Sequence, residues 1–278
     1  MRNYILLIDC LDEKGLIYRI TKILYQFGLN IISNNEFVEK ETNHFFMRSE
    51  FTGNINEREI LAEIRKELPK ETNLNLIECR KKKIVIIATK EHHCLGDLLI
   101  KNEYQEWNAE ILAVISNHPD LESLVSKFNI PFHYVSHENR TREIHENEII
   151  DIIGANNMDY IVLAKYMRIL TPAFVSKYKN KIINIHHSFL PAFMGLNPYK
   201  QAFNRGVKII GATAHFVTEK LDDGAIIVQE IVNIDHKYSV KEMELAGREV
   251  EIVALSRALK LLFEDRVFIS NNKTIIFD

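Results

Sequence analysis

Asn184 and His186, in the run from Asn184 to Pro191, and Asp222, in the segment Gly211 to Glu230, combine an amide, an imidazole and a carboxylate. These are the parts of a proton-handling acyl-transfer site. A carbonyl under attack gathers negative charge on its oxygen, and a preformed amide donor with a charged imidazole beside that oxygen lowers the barrier. An imidazolium needs a carboxylate close by, and that carboxylate can also take a proton from the attacking nucleophile. Two-residue spacing puts Asn184 and His186 on one strand face. Ile182 and Ile183 precede them, so the run reads as a buried strand arriving at a turn marked by Pro191 and Gly195. Asp222 sits in a Gly-bounded turn after a strand from Gly211 to Val217.

The same residue types also admit plainer roles. An isolated Asn-x-His satisfies buried backbone groups at many strand ends, and Asp222-Asp223-Gly224 has the composition of a simple turn. His186, His187 and His215 together invite a zinc reading, but adjacent strand residues face opposite ways and neither HExxH nor clustered cysteines supply further ligands, so no metal is expected. His92 and His93 before Cys94 are read as a buried or helix-capping loop in preference to a cysteine nucleophile.

Composition bounds the classes. The 278 residues suit one large domain or two moderate ones, and 46% apolar residues suffice for packed cores. A net charge of -3 lacks the basic footprint of a nucleic-acid partner, and the basic run Arg80 to Lys83 reads as a solvated linker. Cys10, Cys79 and Cys94 are scattered without a CxxC pair, which fits a reducing cytoplasm. Met1 to Ile8 lacks the pattern of a secretory signal, and no apolar run approaches the roughly 20 residues needed to cross a bilayer. A cytoplasmic protein with no membrane partner is expected.

Two rhythms divide the chain. Tyr4 to Asp9 reads as a strand, Gly15 to Phe27 as a helix stopped by Gly28, Ile31 to Glu39 and His44 to Phe51 as strands, Asn56 to Leu68 as a helix and Leu74 to Glu78 as a strand. The order βαββαβ is a ferredoxin-like plan. With the loop Asp12 to Leu16 and the later Asn30-Ile31-Ile32, this segment resembles an ACT domain. That resemblance implies assembly or regulation through residues 1–80, with Gly15 and Asn30 as effector-site candidates; Gly15 as a helix opener and Asn30 as a cap are equally compatible with the residues. ACT domains commonly pair and hold an amino acid, so a homo-dimer or homo-tetramer and an effector such as glycine or methionine are implied.

Ile84 to Thr89 restarts the chain as an apolar run of the kind buried in a parallel sheet. Strand and helix patterns then alternate: Leu95 to Asn102, Ala109 to Ser116, Leu121 to Phe128, Phe132 to Tyr134, Glu143 to Ala155 and Tyr160 to Ala164. A long helix from Val240 to Glu264 and a hairpin from Arg266 to Phe277 follow. This is the pattern of a doubly wound, mostly parallel α/β domain over 84–278, with ligands expected outside the carboxyl ends of its strands.

The run Lys181 to Gly195, with Met167 to Leu170 before it and Ala214 to Gln229 after it, resembles the catalytic domain of the folate-dependent formyltransferases. The resemblance implies a catalytic set of Asn184, His186 and Asp222, and a folate pocket formed by Met167, Arg168, Leu170, Glu219, Lys220 and Leu221. Within that family, the second histidine after Asn-x-His, the run His118 to Leu121 and the preceding ACT segment resemble the formyltetrahydrofolate deformylases. The first strand of the α/β domain is followed by Lys90, Glu91, His92, His93, Cys94 and Leu95 where the ribonucleotide transformylases place a Gly-rich phosphate loop. Water is therefore the implied acceptor, with hydrolysis of 10-formyltetrahydrofolate to tetrahydrofolate and formate as the reaction. Formate for purine biosynthesis and balance of the one-carbon folate pool are the implied roles, and no cofactor is implied. The sequence departs from the family at Gly195-Leu196-Asn197-Pro198, where relatives often carry a smaller residue after the glycine.

Overall fold

The computed structural model describes residues 2–192 and 198–277, and the departure at Gly195 to Asn197 lies outside the described residues. The chain divides into two compact units, residues 2–80 with 276–277, and residues 81–275.

The first unit runs β1 (Arg2–Leu11), α1 (Leu16–Gln26), β2 (Asn30–Glu39), β3 (His44–Gly53), α2 (Glu57–Glu67) and β4 (Asn73–Glu78). Its sheet has the order β2-β3-β1-β4, antiparallel throughout. Alternation along β1 points Tyr4, Leu6, Ile8 and Cys10 into a core shared with Leu16, Ile20 and Leu24 of α1 and Ile60 and Ile64 of α2. Gly28, at φ 69, ends α1 in the left-handed conformation that favours glycine. The ferredoxin-like plan read from the periodicity is the one present.

From Lys82 onward the elements are β5 (Lys82–Ala88), α3 (His93–Glu103), β6 (Ala109–Ser116), α4 (Glu122–Val125), β7 (Phe132–Tyr134), α5 (Arg142–Gly154), β8 (Tyr160–Ala164), α6 (Pro172–Lys177), β9 (Ile182–His186), α7 (Pro198–Arg205), β10 (Ile209–Phe216), β11 (Ile226–Asn233), α8 (Val240–Phe263), β12 (Val267–Ser270) and β13 (Lys273–Ile276). Seven strands form one sheet in the order β11-β10-β9-β8-β5-β6-β7. β5 to β9 pair in parallel, and β10 and β11 add an antiparallel edge. β5 shows why the sheet is covered on both faces: Ile84, Ile86 and Ala88 pack with α3 and α8, while Val85 and Ile87 join the core that includes Ile149 of α5 and Phe174 of α6. The strand order reverses between β5 and β8, the crevice where open α/β sheets bind ligands.

Several local expectations need correction. Lys82 is buried and ion-paired to Asp265 at 2.7 Å, so Arg80 to Lys83 is not a solvated linker throughout and the strand begins two residues before Ile84. The helix expected over Leu121 to Phe128 is broken into a 3-10 turn from Pro119, the single turn α4 and a second 3-10 turn; Asn129 at φ 55 stops it. The short helices α6 and α7 were not anticipated, because six and eight residues are too few to establish a 3.6-residue period. No helix among the described residues is long and apolar enough to cross a membrane.

Candidate active site

β9 carries Ile182, Asn184 and His186 on one face, and β10 brings Thr213 opposite His186 and His215 opposite Asn184. The side chains of this four-residue block lean together because directly opposed residues on an antiparallel pair are close neighbours. Asp222 arrives from the β10–β11 connection. Gly224 allows that connection to fold back: a Cβ there would lie 1.7 Å from the Phe216 carbonyl oxygen. Asp222 itself takes φ 54, a region that Asp tolerates better than most residues. Its Oδ1 is 3.3 Å from His186 Nδ1 and 3.9 Å from His215 Nε2. The hydrogen bond from His186 holds the Asp222 carboxyl below the ordinary carboxylate range, against the opposing effect of partial burial.

His215 orders the amide. Its Nδ1 lies 2.8 Å from the Phe216 carbonyl, which only accepts, so Nδ1 carries the hydrogen. Burial lowers the His215 pKa and favours the neutral ring. Nε2 is then a lone-pair acceptor for Asn184 Nδ2 at 3.3 Å, which leaves the second amide hydrogen of Asn184 for another partner. His186 Nε2 is buried and has no hydrogen-bond partner among the described residues.

Thr213 braces the loop that follows. Its hydroxyl donates to the Ser188 carbonyl at 2.9 Å and accepts from Leu190 N–H and the Gln229 amide, both at 3.1 Å. Because β9 ends at His186, His187 does not alternate to the far face as expected of a strand residue. Its ring stacks on His186 at 5.1 Å and 29°.

A cavity of about 300 Å³ opens on these groups. Its lining includes Asn184, His186, His187, His215 and Asp222, and also Met167, Arg168, Leu170, Glu219 and Leu221. Lys220 is absent from the lining; its ammonium pairs with Asp223 at 3.1 Å on the surface. Met167, Ile169 and Leu221 are 60%, 51% and 59% exposed, so the rim presents apolar area to the opening. The Met167 segment is pinned at both ends: Met167 N–H donates to Thr89 Oγ1, and Thr171, the N-cap of α6, donates its backbone N–H and its hydroxyl to the buried Glu146.

Behind the cavity lies a second carboxylate. Glu251 of α8, 1% exposed, accepts from His93 Nε2 at 2.7 Å, Tyr199 hydroxyl at 2.9 Å and Lys165 Nζ at 3.2 Å. Burial would raise its carboxyl, but the hydrogen bonds and the lysine charge outweigh it and bring the pKa to about 2. Tyr199 fits because residue 247 is glycine; a Cβ there would lie 2.1 Å from its hydroxyl. Among the described residues, His93, Cys94 and Glu251 are the one trio of metal-type donors within 4.8 Å of one another. Burial drives the Cys94 thiol strongly up and keeps it protonated, and Glu251 is already saturated, so the trio is built as an ion-pair hub. His92 occupies the N-cap of α3 without a side-chain cap bond, while Cys94 is buried and His93 serves Glu251, so of the two roles expected of that loop the buried one is present.

Sequence reasoning missed Lys165, Glu251, Tyr199, Thr213 and Gln229. Two left a legible signal: Lys165 terminates the apolar run of β8, and Glu251 interrupts the stripe Gly247, Leu255, Ala258, Leu262 on the buried face of α8. In the first unit, Gly15 borders a concavity of about 300 Å³ with Leu16, Phe37 and Val38, whereas Asn30 is exposed at the start of β2 and outside that lining.

Comparison with known proteins places this architecture. The model of the formyl transferase family matches residues 82–259, and that of the ACT domain matches residues 4–69. A formyltetrahydrofolate deformylase from Haemophilus influenzae is 57% identical over 272 residues, covering 98% of both chains. The chain belongs to the formyltetrahydrofolate deformylase family. A second relative of that name, from Escherichia coli strain K12, is 54% identical over 267 residues, 96% of this chain and 95% of the relative. The crystal structure of a family member from Pseudomonas syringae pv. tomato superposes with a TM-score of 0.96 at 38% identity, covering 100% of this chain and 95% of the other. An ACT unit followed by a formyltransferase unit is thus the family architecture, and the chain is an enzyme of the deformylase type.

Proposed function

We propose that the cavity around Asn184, His186 and Asp222 hydrolyses 10-formyltetrahydrofolate to tetrahydrofolate and formate. The observation that carries this reading is His186: its Nδ1 faces Asp222 at 3.3 Å, while Nε2 is buried and without a protein partner. A charged imidazole so placed spends one N–H on the carboxylate and has the other for an oxyanion. Asn184, its amide turned by neutral His215, donates its second N–H to the same formyl oxygen and orients it.

Asp222 takes a proton from water as the water oxygen bonds to the formyl carbon. The negative charge passes to the formyl oxygen between Asn184 and His186. As the carbon–nitrogen bond breaks, the proton held at Asp222 returns to the departing folate nitrogen, which conserves atoms and charge. The pterin lies against the backbone of Met167 to Leu170 and of Glu219 to Asp222, with Met167, Arg168, Leu170, Glu219 and Leu221 on the cavity and Lys220 contributing main chain alone. The apolar rim suits a flat ring, as in most small-molecule sites. No metal or nucleotide enters this scheme, and the released formate would supply purine biosynthesis while balancing the one-carbon folate pool.

The purified protein, given 10-formyltetrahydrofolate and no amine, is expected to release formate and tetrahydrofolate in equal amounts. Release only on addition of an amine acceptor would reject hydrolysis. For the ACT unit we propose amino-acid binding beside Gly15, with glycine and methionine as first ligands. Thermal shift reports this, since stabilisation grows with ligand concentration over the dissociation constant. A homo-dimer or homo-tetramer is the assembly proposed, which sedimentation would resolve.

A further inference from the structure

Water is the hardest acceptor to position. It has no side groups for a protein to grip, so the enzyme must fix its oxygen with groups that line the cavity, and a misplaced nucleophile loses most of the advantage of proximity. Asp222 supplies one such group, but a single hydrogen bond leaves the water free to rotate about it. A second partner is required.

We infer that His187 is this partner, hydrogen-bonding the attacking water and holding its lone pair toward the formyl carbon. The inference rests on the hydrolytic reading above and extends it to a residue outside the Asn184, His186 and Asp222 set. Three observations carry it. His187 lines the cavity together with His186 and Asp222, and its ring lies over that of His186, 5.1 Å between centroids. Its ring is only half-buried, and its nitrogens have no hydrogen-bond partner among the described residues. Finally, the ring also neighbours that of Tyr199, 6.3 Å between centroids and tilted by 41°, which is itself anchored on Glu251.

The surroundings keep His187 neutral, and only the neutral ring offers a donor and an acceptor together. Burial is the main cause, the positive charges of Lys165 and His186 add to it, and Glu251 and Asp222 oppose it; the pKa falls to about 4. The Glu251 hub also acquires a use. By anchoring Tyr199 it helps to hold the water-holding ring in position.

The test separates water positioning from packing. His187→Leu preserves bulk and removes both nitrogens; it is expected to lower kcat for formate release by about 30- to 100-fold with the dissociation constant of tetrahydrofolate changed less than about twofold. His187→Asn restores a neutral donor and acceptor and is expected to recover kcat to within about tenfold of the parent. A His187→Leu enzyme within about threefold of the parent kcat overturns the inference, as does a loss of tetrahydrofolate binding that matches the loss of kcat. In both cases the parent still releases formate, so the hydrolytic reading stands. A parent enzyme that releases formate only with an amine acceptor would instead bring down that reading and this inference with it.

Discussion

Two acidic clusters sit within one unit and handle charge in opposite ways. Asp222 is delivered by a loop, faces a cavity and shares a histidine whose far nitrogen is left open. Glu251 is delivered by the middle of a 24-residue helix, is closed off from solvent and is saturated by His93, Lys165 and Tyr199. An unsatisfied buried donor has a cost, and it persists where a reacting group is to use it. At Glu251 the carboxylate itself is fully bonded, which favours rigidity, and the open nitrogen of that cluster, His93 Nδ1, lies 3.7 Å from Glu91 and outside the cavity lining. The contrast separates a cluster that faces a cavity, the one proposed for turnover, from one enclosed among its neighbours.

The sharpest way to break the comparison is to disable the open cluster. Asn184→Ala, His186→Ala and Asp222→Asn should each lower kcat for formate release by about 10³-fold, roughly 4 kcal/mol of transition-state stabilisation. Their melting temperatures should stay close to the parent; retained turnover in all three would remove the site assignment. The closed cluster should respond in the reverse sense. Glu251→Ala leaves Lys165 buried without its counter-charge and should cost about 3–5 kcal/mol in denaturant unfolding. A loss below about 1 kcal/mol would mean that the hub carries little of the fold's stability.

A third measurement reads the boundary between the clusters. His187 is depressed from 6.5 to about 4 in the folded protein, so between those values the unfolded chain binds more protons. Stability must therefore fall as pH drops from 6.5 toward 4, by roughly 3 kcal/mol from this ring alone. His187→Leu should flatten that slope in melts recorded from pH 7 to 4, and an unchanged slope would show that His187 is not held neutral. The smallest effect is expected at Thr213→Val. It strands the Leu190 N–H and the Ser188 carbonyl and should cost about 1–2 kcal/mol, with a modest fall in kcat as the loop after His186 loosens.

Elements with long periods were legible in the chain, and those without were not. The strands and helices of the first unit, the apolar run of β5 and the capped helix α8 appear close to where periodicity puts them, because burial on one face repeats over many residues. α6, α7 and the broken segment around α4 were lost for want of length. At the site, the same-face relation of Asn184 and His186 follows from strand geometry alone. The placement of His187 did not, because alternation stops where the strand stops and nothing local marks that end at His186.

The order of residues by itself determined the two-unit plan, the pairing of Asn184 with His186 on one strand face, and the candidate carboxylate at Asp222. Each depends on near-neighbour spacing, which backbone geometry converts directly into direction. Tertiary structure alone decided that Asp222 reaches His186 and that His215 sets the amide of Asn184. It also decided that Glu251, Lys165, His93 and Tyr199, drawn from four separate elements, meet as one hub. Those contacts join residues far apart in the chain, and they form only when the sheet register, a glycine-dependent fold-back and the packing of α8 are satisfied together.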